Sequence, residues 1–126
     1  KANIRAMKKL ILLCATVIYS CHLWAQNTIS TDSLSYYKGQ FIRVCATVTG
    51  THVSTGKSET TFINFGEPFP NNSFSLVVFQ KNAETFSYKP AEFLENKNIC
   101  ITGRVKMYKG KPEISINNEK QIRIEE

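Results

Sequence analysis

The sequence predicts an all-β domain: a five-stranded Greek-key barrel with a short helical connection between strands 3 and 4. Five short segments have strand chemistry, alternating in polarity or rich in β-branched and aromatic residues, and turn residues bound each of them. Between the third and the fourth lies a stretch with helix-friendly glutamates that Pro90 keeps from forming one continuous helix. Inside the fourth segment, Gly103 lacks a side chain, which suits the sharp coiling or close backbone approach of a sheet that curls on itself.

Each element follows from local chemistry. Residues 26–38 read as a linker or short helix: Ser30 or Thr31 can cap a helical stretch over Ser33–Tyr37, and Gly39 can end it. In the first strand, Gln40–Thr49, Ile42, Val44, Ala46 and Val48 share one face, while Phe41, Arg43, Cys45 and Thr47 share the other. The polar stretch Gly50–Glu59 reads as a surface loop or open hairpin tip. Thr60–Phe65 forms the second strand, and the Gly66–Asn72 run breaks it. Phe74–Phe79 is the third; its near-continuous apolarity implies burial on both faces or an aromatic face with another task. A helical pair, or a helix and a turn, fits Asn82–Glu95. Asn98–Tyr108 returns to strand, Tyr108–Pro112 turns, and Glu113–Asn117 is the fifth strand, which Gln121–Ile124 extends. Three strands, a helical connection and two more strands is the order of the OB-fold, here over residues 39–126. An SH3-like barrel would not ordinarily carry so long a helical segment at that place.

Length and charge narrow the function classes. At 126 residues, with 42% hydrophobic and 21% charged content, the chain suits one small globular domain and excludes collagen, coiled coil and wholesale disorder. The formal net charge of +6 suggests a nucleic-acid partner until it is located: Lys1, Arg5, Lys8 and Lys9 precede Ala25, and beyond it 12 basic residues face 10 acidic ones. Those first 25 residues read as an export signal, with a basic start, the apolar run Leu10–Tyr19 and Ala25 before Gln26; residues 1–6 read as upstream of the true start. Cleavage after Ala25 would give a periplasmic or secreted protein. Lipidation at Cys21, or an uncleaved anchor, would leave it on a membrane. Cys14 is filler of the apolar run.

Several blocks, in order, resemble a known group. Thr61-Phe62-Ile63-Asn64-Phe65-Gly66, then Pro70-Asn71 and Phe74–Phe79, resemble the second and third strands of small exported bacterial OB-fold domains, which occur alone or attached to thermonuclease-like nucleases. Tyr108–Ile114 with Gln121-Ile122 resembles that group's last hairpin, and Val44–Val48 and Ile99–Gly103 its paired first and fourth strands. Ala46 departs from the glycine expected there. The resemblance spans about Ile29–Ile124 and implies an OB barrel with nucleic-acid binding; the nuclease does not carry over, since no catalytic module is present.

An OB-fold binds across its second and third strands, between the first-to-second and fourth-to-fifth loops. The candidate nucleic-acid-binding residues are therefore Lys57, Phe62, Phe65, Arg104, Lys106, Tyr108, Lys109 and Lys111; His52 lies in the same loops, Phe69 and Phe79 join Phe62 and Phe65 as candidate stacking residues, and Arg43 with Arg104 extends the basic surface. Aromatic rings can stack bases, and lysines can hold the backbone without reading sequence. Against this, most phenylalanines of a small barrel fill its core, Phe62 and Phe65 cannot both point inward from an unbent strand, and lysines around a turn are commonly a solvated rim. Cys45 and Cys100 lie on adjacent strands, where they form either a cross-strand disulfide or two free thiols. Two cysteines and a lone His52 lack the ligands for a metal site, no cofactor is implied, and no nucleophile–base pair, carboxylate pair or phosphate loop can be assembled. The expectation is a non-enzymatic OB-fold module that binds single-stranded nucleic acid weakly and with little sequence preference. A protein, saccharide or small-ligand partner is the alternative, and edge strands leave a dimer open.

Overall fold

The computed structural model describes residues 3–8 and 28–126. Residues 4–8 are helical. The rest of the proposed leader, including Cys14, Cys21 and the cleavage position after Ala25, lies outside the described residues. From Thr28 onward the chain is all-β and OB-like, with small helices.

Six strands form one sheet: β1 (Phe41–Ser54), β2 (Thr60–Gly66), β3 (Asn72–Phe79), β4 (Asn98–Tyr108), β5 (Lys111–Ser115) and β6 (Ile122–Ile124). The order is β1-β2-β3-β5-β4-β6, and an added β1–β4 pairing closes the first five into a ring. Every pairing is antiparallel except β3 with β5. The long β1 makes closure possible by serving two neighbours: Phe41–Thr47 pair with β4, and Val48–Ser54 pair with β2. A bulge between Val48 and Gly50 separates the two halves, bending the strand where it changes partner.

β1 therefore runs five residues beyond the expected Thr49, and the hairpin tip shrinks to residues 55–59. The polarity of Thr51, His52 and Ser54 reflects a hairpin arm that stands partly in solvent, not a loop. Gly103 meets the close approach expected of it: a Cβ there would lie 2.5 Å from Ile114 Cγ2, so β4 and β5 pack more tightly than any side chain allows. β6 is a correction. It does not extend β5 but pairs with β4, Ile99 opposite Ile124 and Ile101 opposite Ile122. The cause is a capped 3-10 turn at Glu119–Gln121, where Asn118 accepts from the Lys120 amide and the Gln121 side chain accepts from the Asn117 and Asn118 amides.

Inward-facing Ile42, Val44, Ile63, Phe65, Phe74, Leu76, Ile101, Val105 and Ile114 fill the ring. The expected N-terminal helix is a 3-10 segment, Thr31–Tyr37, without a side-chain cap from Ser30; Gly39, at φ +82, follows it. Its fully buried Leu34 enters the core, and the segment touches β1, β3, β4 and β5, so it covers one end of the ring. Between β3 and β4 lie two one-turn helices, Gln80–Ala83 and Pro90–Phe93, divided as Pro90 requires. Cys45 and Cys100 face each other in the β1–β4 register, with Cα atoms 4.0 Å apart, and are joined by a disulfide. That bond crosses the seam at which the ring closes.

Candidate functional site

Strand alternation decides what the ring shows to the outside. Because Ile63 and Phe65 point inward, Thr60, Phe62 and Asn64 of β2 point outward, opposite Phe79, Val77 and Ser75 of β3. The parallel pairing then places Glu113 and Ser115 of β5 beside Ser75 and Val77, and β4 sets Lys106 against Glu113 and Tyr108 against Lys111. Two cross-strand rows result. One reads Asn64, Ser75, Glu113, Lys106; the next reads Phe62, Val77, Ser115.

A cleft of about 720 Å³ opens on this wall, between the β1–β2 hairpin, the β2–β3 loop and the β4–β5 turn. Its sides are aromatic. The His52 and Phe62 rings stack with centroids 6.4 Å apart, Phe69 is 76% exposed on the β2–β3 loop, and Tyr108 is 56% exposed at the β4–β5 turn. Gly66 starts the loop that presents Phe69: its φ of +85 favours glycine, and a Cβ there would sit 2.3 Å from Ser73 Oγ. Lys109 holds its ammonium 5.4 Å from the Tyr108 ring centroid at the mouth of the cleft. Lys111 is already engaged, donating to the Pro70 carbonyl and, at 3.5 Å, to Asn72 Oδ1; it ties β5 to the β2–β3 loop.

The floor carries a buried polar relay. Asn72 Nδ2 donates to the Phe74 carbonyl at 3.2 Å and to Ser75 Oγ at 2.8 Å, and Ser75 Oγ donates to Asn64 Oδ1 at 2.7 Å. A carbonyl can only accept, so the Phe74 contact fixes which end of the Asn72 amide faces the relay, and the direction of the remaining bonds follows. All three side chains are buried, yet each has partners, which makes the floor rigid rather than costly. Glu113 differs. Among the described residues its carboxylate makes no hydrogen bond or ion pair, burial pushes the carboxyl above the usual carboxylate range, and the charge of Lys106 pulls it part of the way back.

Of the residues predicted from sequence, Phe62, Tyr108, Lys109 and Lys111 line the cleft together, as do His52 and Phe69. Phe65 is a correction: it is fully buried, stacked on Phe74 at 4.2 Å, and no base can reach it. Lys57 is exposed at the hairpin tip, outside the lining. Lys106 is exposed beside Glu113, also outside the lining. Arg104 lies opposite Phe41 at the closing seam, donating to the Gly39 carbonyl, away from the cleft. Arg43 stands 3.8 Å from Glu125, and Phe79 ends its strand outside the cleft. Sequence reasoning missed Asn64, Asn72, Ser75, Thr49 and Thr51. The signal for two of them was present: Asn64 and Ser75 are polar residues at mid-strand in otherwise apolar segments.

In sequence, the chain matches no protein-family model and no curated protein. In structure, it superposes on an aspartyl tRNA synthetase from Entamoeba histolytica with a TM-score of 0.52 at 17% identity, over 82% of this chain and 22% of that one. A protein of Leishmania major Friedlin assigned as an aspartyl-tRNA synthetase gives 0.53 at 14% identity, over 83% and 22%. A Klebsiella pneumoniae protein assigned as a nucleic acid-binding lipoprotein superposes at only 0.40, with 12% identity over 76% and 78%, too loosely to carry an inference. The chain spans about a fifth of the length of the two synthetase chains, and at these identities the likeness is one of fold.

Proposed function

We propose that this chain is an exported OB-fold module, related to the nuclease-associated domains its sequence resembles, that binds single-stranded nucleic acid in the cleft across β2 and β3 and catalyses no reaction. The observation that carries the reading is the coincidence of four solvent-reaching rings, His52, Phe62, Phe69 and Tyr108, around one cleft with Lys109 at its mouth. Stacking on such rings contributes about 1–3 kcal/mol per base and tolerates any base. The Cys45–Cys100 bridge supports export, because such a bond persists in oxidising compartments.

Charge bounds the phosphate contribution. Two lysines against one glutamate line the cleft, and one of those lysines is spent on the β2–β3 loop. With one or two phosphate contacts, the log–log salt slope for a single strand is about −0.7 to −1.4, so a rise from about 50 to 200 mM salt weakens binding about three- to sevenfold. Fluorescence anisotropy of the protein with labelled strands of about eight nucleotides tests this. No binding at low salt rejects the reading. The near-neutral lining favours one second reading, an uncharged saccharide or protein segment in the same cleft; saturable binding of oligosaccharides in place of oligonucleotides would select it.

A further inference from the structure

Glu113 is out of place in a cleft for a polyanion. A carboxylate repels phosphates, and here it also sits partly buried, without a hydrogen bond or ion pair among the described residues, in the row between Ser75 and Lys106. Both of its oxygens are free to accept. Its neighbour Ser75 has its one donor and one of its two acceptor lone pairs already engaged, accepting from Asn72 and donating to Asn64.

Position adds a second constraint. Lys111, Glu113 and Ser115 share the outward face of β5, so along the strand Glu113 is about 7 Å from Ser115, which lies in the row of Phe62 two strands across, and about 7 Å from Lys111, which pairs with Tyr108 on the adjacent strand. Phe62, Tyr108 and Glu113 line the same cleft, so a base stacked on either ring has room to turn an edge toward the carboxylate. Two parallel N–H donors on one edge, the arrangement a carboxylate accepts in bidentate fashion, occur on a single standard base: guanine, with N1–H and the 2-amino group. Thymine and uracil offer one N–H between two carbonyl oxygens, and adenine and cytosine set one amino group beside an acceptor nitrogen. These edges bring an oxygen or nitrogen lone pair against the carboxylate.

We propose that Glu113 makes one subsite of the cleft selective for guanine, its carboxylate accepting from N1–H and the 2-amino group of a base stacked on Phe62 or Tyr108. This rests on the nucleic-acid reading above and sharpens it: the strand is held with little preference except at that position. A bidentate base contact discriminates by about five- to 150-fold.

The test compares thymidine strands of about eight nucleotides, unmodified or with one central guanine, inosine, cytosine or adenine, against the wild-type protein and Glu113→Gln. The expected result is tightest binding of the guanine strand, with inosine, which lacks the 2-amino group, falling between guanine and thymine. Glu113→Gln should remove the guanine preference and bind the plain thymidine strand at least as tightly as wild type does, with its thermal unfolding confirming an intact fold. Equal binding of all strands by wild type, or a guanine preference that survives in Glu113→Gln, overturns the proposal and leaves the nucleic-acid reading standing. Failure of every strand to bind overturns both.

Discussion

Phe62 and Phe65 stand three residues apart on β2, and the ring geometry gives them opposite roles that one pair of substitutions separates. Phe65 is fully buried and stacked on Phe74. Phe65→Ala removes a core ring and leaves a void, at a cost of about 3–5 kcal/mol, part of which is the aromatic pair itself, about 0.5–1.5 kcal/mol. Set against a total stability of about 5–15 kcal/mol, that is a large share. For a domain of this size it lowers Tm by about 20 °C. Phe65→Leu leaves a smaller void and should fall in between. Phe62 is half-buried on the outer wall, so Phe62→Ala should change stability by less than about 1 kcal/mol while weakening oligonucleotide binding about five- to 150-fold, the equivalent of one lost stacking contact. Circular dichroism melts and anisotropy titrations read the two quantities separately. A stable Phe65→Ala protein, or a Phe62→Ala protein that melts early and binds normally, would show that the assignment of inner and outer faces is wrong.

Four further outcomes follow from other parts of the molecule. Lys109→Ala should weaken oligonucleotide binding and flatten the salt slope by about 0.7, whereas Lys111→Ala should also loosen the loop around Pro70, visible as faster amide exchange there. Opening the Cys45–Cys100 bond, which spans a sequence separation of 55, should cost about 4 kcal/mol on loop-closure arguments, read as a lower urea midpoint of the Cys45→Ala/Cys100→Ala protein; an unchanged midpoint counts against a role in stability. Gly103→Ala forces a methyl into Ile114 and should destabilise by about 1–3 kcal/mol, while an unchanged melt would mean that β4 and β5 do not approach so closely. Because burial raises the Glu113 carboxyl, its contribution to folding is fully present in acid, below its ordinary value, and is lost as pH rises through the raised one. Glu113→Gln should therefore gain stability relative to wild type as pH rises above the ordinary glutamate value of about 4.3, and a difference that does not vary with pH would contradict the burial of that group.

The strand content was legible because alternation is local. Ile42, Val44 and Val48 on one side of β1, and Ile99, Ile101 and Val105 in β4, announce their faces within single segments. The inward glycine of β4 and the divided helical connection could also be read locally, from Gly103 and Pro90. What escaped is what closure creates. The bulge at Val48–Gly50 turns the polar arm through Ser54 into strand, and no residue there advertises it. β6 returns to β4 because a capped turn reverses the chain after Asn118, although its sequence continues the strand character of β5.

The site divides in the same way. Tyr108, Lys109 and Lys111 were found from loop position, and Phe62 from its aromatic character, but the phase that sends Phe65 inward needed the register with β3. Arg104 shares the outward phase of Lys106 and Tyr108 along β4, yet its pairing with Phe41 puts it at the seam rather than at the cleft. Lys111 could be read as a free cation only until the β2–β3 loop arrived beside it. The Asn72–Ser75–Asn64 relay joins two strands through a bulged corner, so its members become partners only in the folded ring.

Cleft binding is defined by where a nucleic-acid strand touches the protein. Amide chemical-shift mapping of the isotope-labelled chain during titration with a guanine-containing single strand measures this directly. Shifts concentrated at His52, Phe62, Asn64, Phe69, Tyr108, Lys109 and Glu113, with Arg43, Cys45 and Arg104 unmoved, are the predicted result. Shifts centred on the β1–β4 seam, or none at a strand concentration that saturates anisotropy, would contradict it.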